Sequence, residues 1–242
     1  MLFESTKSTT NKLIRSFGRI KSRKLSSQKE FLLQNLLPTY LLESYQPNNF
    51  LQNVLEIGYG FGDFLFQQAS NNQQTMFYGC EPHLNGIVNL LAKLQQQPLN
   101  NLKINNSDVR LFLQSFPDDF FQQIFILFPD PWPKVKHYKR RLINSHFLDE
   151  ILAKKIAQHG KLIIATDHPD YATWILAQTS KNFVWQATNS ASWQNFPPYW
   201  HQTKYQLKAQ NEGRECVYLE FKHVLNNNQS QKHSQHNPEV LC

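Results

Sequence analysis

Cysteine is scarce and scattered: Cys80, Cys216 and Cys242 are the only three in 242 residues, and no two share a close spacing. An odd, separated set supports neither a disulfide framework nor a zinc site, so no metal is expected and a reducing cytoplasm suits the chain. Long apolar runs are also missing. Nothing approaches the length that spans a bilayer, and the Ser/Thr/Lys-rich start has no apolar stretch of the signal-peptide kind. Neither a membrane partner nor a secretory signal is expected. No internal repeat is present. Acidic residues are absent from two windows: residues 7–24 carry seven Lys/Arg and residues 134–141 carry five, with no Asp or Glu in either. Removing those twelve charges from the net +7 leaves −5 on the rest of the chain. Basicity focused in this way points to a polyanion, nucleic acid before two merely solvated segments.

What is present is an alternating rhythm. With 40% hydrophobic residues the chain can bury one good core. Residues 1–27 read as a basic, flexible arm, 28–224 as the folded domain, and 225–242, rich in Asn, Gln, Ser and His, as a disordered tail. A helix over 28–45 is interrupted near Pro38. Strands are expected at 53–57, 75–80, 102–105, 123–128 and 161–165. Helices fall between or after them at 61–69, 84–94, from about Val109, at 141–157 and at 171–179. Segments 183–187, 204–207 and 216–221 read as further strands without full helices between them. The prediction is an α/β doubly wound, mainly parallel sheet with an antiparallel C-terminal edge.

Two motifs carry chemistry. The first, Glu56-Ile57-Gly58-Tyr59-Gly60-Phe61-Gly62, lies at the first strand-to-helix turn. Its glycines let the backbone approach a ligand without an intervening Cβ. The spacing is Gly-x-Gly-x-Gly, whereas a dinucleotide fingerprint has Gly-x-Gly-x-x-Gly and a pyrophosphate on the helix N-terminus. Glu56 would repel a pyrophosphate but suits the ammonium of an amino-acid tail. Glu81, ending the second strand, can accept from both hydroxyls of a ribose, and Asp108, after the third, can bond an adenine amino group. Each acid alone reads as a surface residue or helix cap. Together, at the ends of three successive strands, they favour S-adenosylmethionine over a nicotinamide cofactor.

The second motif, Phe128-Pro129-Asp130-Pro131-Trp132-Pro133-Lys134, ends the fourth strand. Asp130 between two prolines has little backbone freedom, so its carboxylate is held where the turn points it. Trp132 reads as turn packing in preference to a base-stacking platform, and His137 as a loop histidine whose protonation nearby cations disfavour. Lys136, Lys139, Arg140 and Arg141, with Arg15, Arg19 and Arg23 of the arm, are expected to hold phosphates. Arg140 and Arg141 are read as opening the next helix, where their charges oppose its dipole and a ligand would compensate.

This second motif, continued by His137, Lys139, Arg140 and Arg141, closely resembles the bacterial tRNA (guanine-N7)-methyltransferase family. So do Ile14-Arg15-Ser16-Phe17 with Arg19 and Arg23, the glycine motif, and Ala165-Thr166-Asp167. The resemblance runs from about residue 14 to Phe221. It implies a class I, Rossmann-like methyltransferase fold with a seven-stranded sheet. It also implies methyl transfer from S-adenosylmethionine to N7 of a guanine in the variable loop of tRNA. By it, Glu56, Gly58, Gly60, Gly62, Glu81, Asp108 and Asp130 line the cofactor and reaction site, with Asp130 the catalytic group. Lys134 and Asp167 contact the substrate, along with the 203–206 segment, Thr203 and Gln206 above all. The family pattern has Glu where this chain has Gln206, which loses a charge facing guanine's N1–H and N2 donors. The change points to weaker guanine selection, with Asp130 or Asp167 as the compensating acceptor. A monomer is expected. The competing readings are a tRNA-binding protein with lost catalysis and a methyltransferase for another base. A dehydrogenase is the least favoured.

Overall fold

A computed structural model describes residues 25–179, 183–185 and 202–224. The basic arm with Arg15, Arg19 and Arg23, and the polar tail, lie outside these residues. The chain enters through α1 (Ser27–Asn35) and α2 (Leu37–Tyr40). They are separated at Leu36, and Pro38 lies in the first turn of α2, where its missing N–H has no intrahelical partner to lose. Then strands and helices alternate: β1 (Gln52–Ile57), α3 (Asp63–Asn71), β2 (Thr75–Cys80), α4 (Leu84–Gln96), β3 (Leu102–Asn105), α5 (Val109–Gln114) and β4 (Phe121–Leu127). A 3-10 turn (Val135–Arg140) and a wide π-type turn (Phe147–Leu152) running into α6 (Ala153–Lys155) lead to β5 (Ile156–Thr166). The remaining elements are α7 (Pro169–Gln178), β6 (Phe183–Trp185), α8 (Lys204–Asn211) and β7 (Val217–His223).

The strand order is β3-β2-β1-β4-β5-β7-β6. From β3 to β5 every pairing is parallel, and β7 runs antiparallel to both β5 and β6. Six strands of four or more residues carry the sheet. The expected count of seven is reached only with the three-residue β6. Because β1 pairs with β2 on one side and β4 on the other, the winding reverses between β1 and β4. A crevice therefore opens there beyond the carboxyl ends of the strands.

Alternate residues of each strand go to opposite faces. Leu55, Ile57, Met76 and Tyr78 pack with Phe112, Phe147 and Tyr171 on one side. Val54 and Phe77 pack with Phe64, Leu65, Ile87 and Leu91 on the other. Both faces are covered, which is why the strands read as nearly unbroken apolar runs. Each fully buried Leu or Phe contributes roughly 1.5–3 kcal/mol of transfer free energy.

Two sequence expectations are corrected. The helix over 141–157 begins only at Ser145. The side-chain oxygen of Asn144 accepts from the N–H of Phe147 at 3.0 Å and starts the helix there. Arg140 therefore closes a 3-10 turn and Arg141 follows it, so their charges sit at a favourable carbonyl end and no dipole cost needs compensating. Segment 204–207 is the first turn of α8, not a strand. Four alternating residues are too few to separate the two periods. Thr203 settles the matter by capping the helix, its hydroxyl accepting from the N–H of Gln206 at 3.1 Å.

Candidate active site

The carboxyl ends of β1 and β4 meet the start of α8 at one shallow pocket. Its walls include Glu56, Gly58, Phe61, Leu127, Thr203 and Tyr205. Gly58, Gly60 and Gly62 carry φ of 72°, 53° and 73°, a left-handed path that other residues adopt at a cost. A Cβ on Gly58 would meet nothing within 4 Å, so the backbone is bare toward the open space. The loop is braced from outside. Lys93 donates to the carbonyl of Phe61 at 3.1 Å and pairs with Asp63 at 2.8 Å. Gly86 of α4 comes so near that a Cβ there would lie 2.3 Å from the carbonyl oxygen of Gly60.

Glu56 is 3% exposed, and its Oε2 has no hydrogen-bond partner. Burial first, then the charges of Glu81 and Asp63, push its pKa up to about 8, against a weaker opposing pull from the Leu65 N–H. A cation placed against this buried acid, its orphaned oxygen and its two acidic neighbours would be stabilised. Glu81 accepts from the N–H groups of Gly60 at 3.0 Å and His83 at 2.7 Å, one on each oxygen. Four acceptor directions on a carboxylate leave room for two further donors. Burial raises the Glu81 pKa, those N–H bonds lower it, and Asp130 raises it again.

Asp108 caps α5, accepting from the N–H of Arg110 at 2.9 Å, and its carboxylate also pairs with the Arg110 guanidinium at 2.6 Å. Although burial opposes it, these bonds hold its pKa below the usual range. The carboxylate is ionised and pinned beyond β3, with part of its acceptor capacity already used.

Asp130 is exposed at the end of β4. It lies close enough to Glu81 and Tyr205 that its charge helps raise the pKa of both. The residues bracketing its two prolines, Phe128 and Trp132, have φ of 52° and 43°. Left-handed conformations in aromatic residues cost about 1–3 kcal/mol each and persist only where the surroundings impose them. Lys134, Lys136 and Lys139 are exposed on and beside the following 3-10 turn. The half-buried Arg140 lies 4.9 Å over the Trp132 ring, and His137 meets that ring edge-on. Burial and then the neighbouring cations, Arg140 first, depress the His137 pKa.

The methyltransferase family described as "Putative methyltransferase" matches residues 51–219. The tRNA (guanine-N(7)-)-methyltransferase of Rhizobium etli is 36% identical over 222 residues, covering 86% of this chain and 95% of that protein. Its namesake in Wolbachia pipientis wMel is 36% identical over 203 residues, covering 78% and 88%. The chain belongs to the tRNA (guanine-N7)-methyltransferase family. Among solved structures, the 16S rRNA methyltransferase KamB shares a TM-score of 0.49 and 12% identity over 73% of this chain and 89% of that one, too distant to inform the site.

In this member of the methyltransferase family Glu56 and Gly58 line the pocket, Glu81 accepts from the N–H of Gly60, Asp130 lies within electrostatic reach of Glu81, and Gly62 caps α3. Thr203 lines the same pocket, and Gln206 is fully buried behind it. Asp167 follows β5 and pairs with Arg214 at 2.8 Å. Arg141 is a correction. It is 3% exposed, with its guanidinium against three aromatic rings, so it cannot meet a phosphate. Sequence reasoning missed Gly86, Lys93 and Arg214, and reached Tyr205 only as part of the 203–206 segment. A glycine inside a helical pattern was the available signal for Gly86. Lys93 and Arg214 are surface-type residues whose partners Asp63 and Asp167 are distant in sequence. Among the described residues no cluster of His, Cys, Asp and Glu could hold a metal ion, and no helix is long and apolar enough to cross a membrane.

Proposed function

We propose that this chain methylates N7 of a guanine in the variable loop of tRNA, in the cytoplasm, with S-adenosylmethionine as donor. One observation carries the reading. The exposed carboxylate of a rigid Pro-Asp-Pro turn lies beside an acid-lined pocket and at the root of a lysine-rich turn. A cationic donor and a polyanionic acceptor thus have adjoining berths. The relatives' shared activity supports the identity of both.

The pocket suits the donor. Glu56, buried with a free oxygen, would take the ammonium of the amino-acid tail; Glu81 would take the ribose hydroxyls; the open backbone at Gly58 would admit the chain between them. Asp108 would reach the adenine amino group with the acceptor capacity that Arg110 leaves. When bound, S-adenosylmethionine supplies an electrophilic methyl group on a cationic sulfur. Guanine N7 has a lone pair and no proton, so the protein needs no general base at the nucleophile. The methylated ring is cationic, and the fixed carboxylate of Asp130 stabilises that charge as it grows. Lys134, Lys136 and Lys139 would hold phosphates, and Asp167 and Thr203 the base, so that orientation supplies much of the remaining acceleration. Gln206, buried beneath Thr203, would act through the α8 cap it shares with that residue.

The test combines purified protein, labelled S-adenosylmethionine and unmodified tRNA, followed by nucleoside mass spectrometry. The expected product is 7-methylguanosine mapping to the variable loop. Label on adenine or on another guanine would replace the substrate, and no label despite binding of both ligands would leave an RNA-binding protein.

A further inference from the structure

Arg141 is buried, charged and unused by the mechanism above. Its Nε donates to the carbonyl oxygen of Pro131 at 2.8 Å, inside the turn that carries Asp130. Its guanidinium carbon stands 3.7 Å from the ring centre of Tyr138, 4.8 Å from that of Trp174 and 4.9 Å from that of Tyr171. Tyr138 belongs to the lysine-rich 3-10 turn, while Tyr171 and Trp174 belong to α7, which begins two residues after Asp167. Trp174 is itself anchored, donating to the carbonyl of Ile143 at 2.8 Å. One side chain therefore touches the Asp130 turn, the lysine-rich turn and the helix that follows Asp167. The Asp130 turn has φ of 52° and 43° at Phe128 and Trp132 and needs such a restraint from outside.

We propose that Arg141 is a positioning residue that clamps the Asp130 turn against α7 and so fixes the reacting carboxylate relative to the bound base. The proposal rests on the reading of Asp130 as the group that faces the reaction. Charge alone does not explain the arrangement. A flat guanidinium can stack on several rings and still donate in its own plane, whereas an ammonium cannot. Stacking on aromatic faces also offsets part of the loss of hydration that burying the cation entails.

The full-length protein with Arg141→Met and with Arg141→Lys tests this through four readouts. They are hydrogen exchange of peptide 128–133, kcat on tRNA, affinity for S-adenosylhomocysteine, and the salt dependence of tRNA binding. Arg141→Met should quicken exchange in that peptide and lower kcat by about tenfold or more, as loss of orientation does. Product affinity should stay within about threefold and the salt slope should not change, because no phosphate contact is lost. Arg141→Lys should fall between, keeping a donor for Pro131 but not the flat stack. If Arg141→Met does not fold, Arg141→Lys carries the test. A salt slope shallower by about one unit with kcat retained would make Arg141 a phosphate ligand and overturn the proposal. Unchanged exchange with unchanged kcat would overturn it too. Should the wild-type protein methylate no tRNA, the exchange measurement still decides whether Arg141 clamps the turn.

Discussion

Replacing Glu56 by Gln probes the pocket most directly. The folded-state pKa of about 8 lies well above the ordinary 4.5. Roughly nine-tenths of Glu56 is then protonated near pH 7 in the ligand-free protein, by ordinary titration arithmetic. Binding an ammonium requires the ionised form. Affinity for S-adenosylhomocysteine should therefore rise about tenfold per unit between roughly pH 6 and 7 and level off above about pH 8, with close to one proton released per ligand near pH 7. Glu56→Gln should bind about 30-fold to 1,000-fold more weakly, the loss expected when one partner of a buried charge pair is truncated, and with a flatter pH profile. Stability moves the other way. Between the unfolded and folded pKa values the unfolded chain binds fewer protons at this position, so the Glu56 contribution to stability is fullest below about pH 4.5 and falls as pH rises toward about 8. This group contributes up to about 1.4 kcal/mol per unit of that fall. The Gln variant should lose that slope. Titration calorimetry in buffers of different ionisation enthalpy, with urea unfolding at several pH values, measures both. A wild-type affinity independent of pH from about 6 to 8, or a Gln variant retaining the wild-type slope of stability, would refute the reasoning. Glu81→Gln serves as the control, since Glu81 is also raised but keeps two N–H donors.

Asp130→Asn should lower kcat by about 10²–10³, in the range seen for loss of one fixed electrostatic group. Its product affinity should stay within about threefold; equal losses in both would make Asp130 a plain cofactor ligand. Gly86→Ala forces a methyl to 2.3 Å from the Gly60 carbonyl oxygen, so melting temperature and cofactor affinity should fall together. A destabilisation of about 1–3 kcal/mol is expected from overpacking, and a silent substitution would show that α4 moves freely against the loop. Lys136→Ala and Lys139→Ala should each weaken tRNA binding and make its salt slope shallower by about one unit without changing product affinity. An unchanged slope would exclude these lysines from the phosphate contacts.

Much of the architecture was legible because its signals are local. Apolar runs bounded by glycine and polar turns announced β1, β2, β3 and β4, and their alternation with helices implied parallel crossovers. The acids Glu56 and Glu81 could be named in advance because a doubly wound sheet sends the carboxyl ends of neighbouring strands to one crevice. Pro129 and Pro131 marked Asp130 because proline restricts the backbone wherever it stands. Where the local signal was short, the reading failed. Lys204-Tyr205-Gln206-Leu207 fits a strand by alternation, and only the cap at Thr203 and the burial of Gln206 make it a helix.

By itself, then, the sequence determined the α/β order of elements, the glycine loop with its acids, and the stiff turn with its lysine-rich continuation. All of these depend on spacing along the chain. Tertiary structure alone decided what the charges do. Arg140 and Arg141 are neighbours of the same type, yet one lies half-buried over Trp132 while the other is enclosed by Tyr138, Tyr171 and Trp174. Asp108 is occupied by Arg110, whereas Glu56 keeps an oxygen free. The physical reason is that a charge's role follows from its burial and its partners. Those are set by residues that approach only when the sheet and its helices have closed around them.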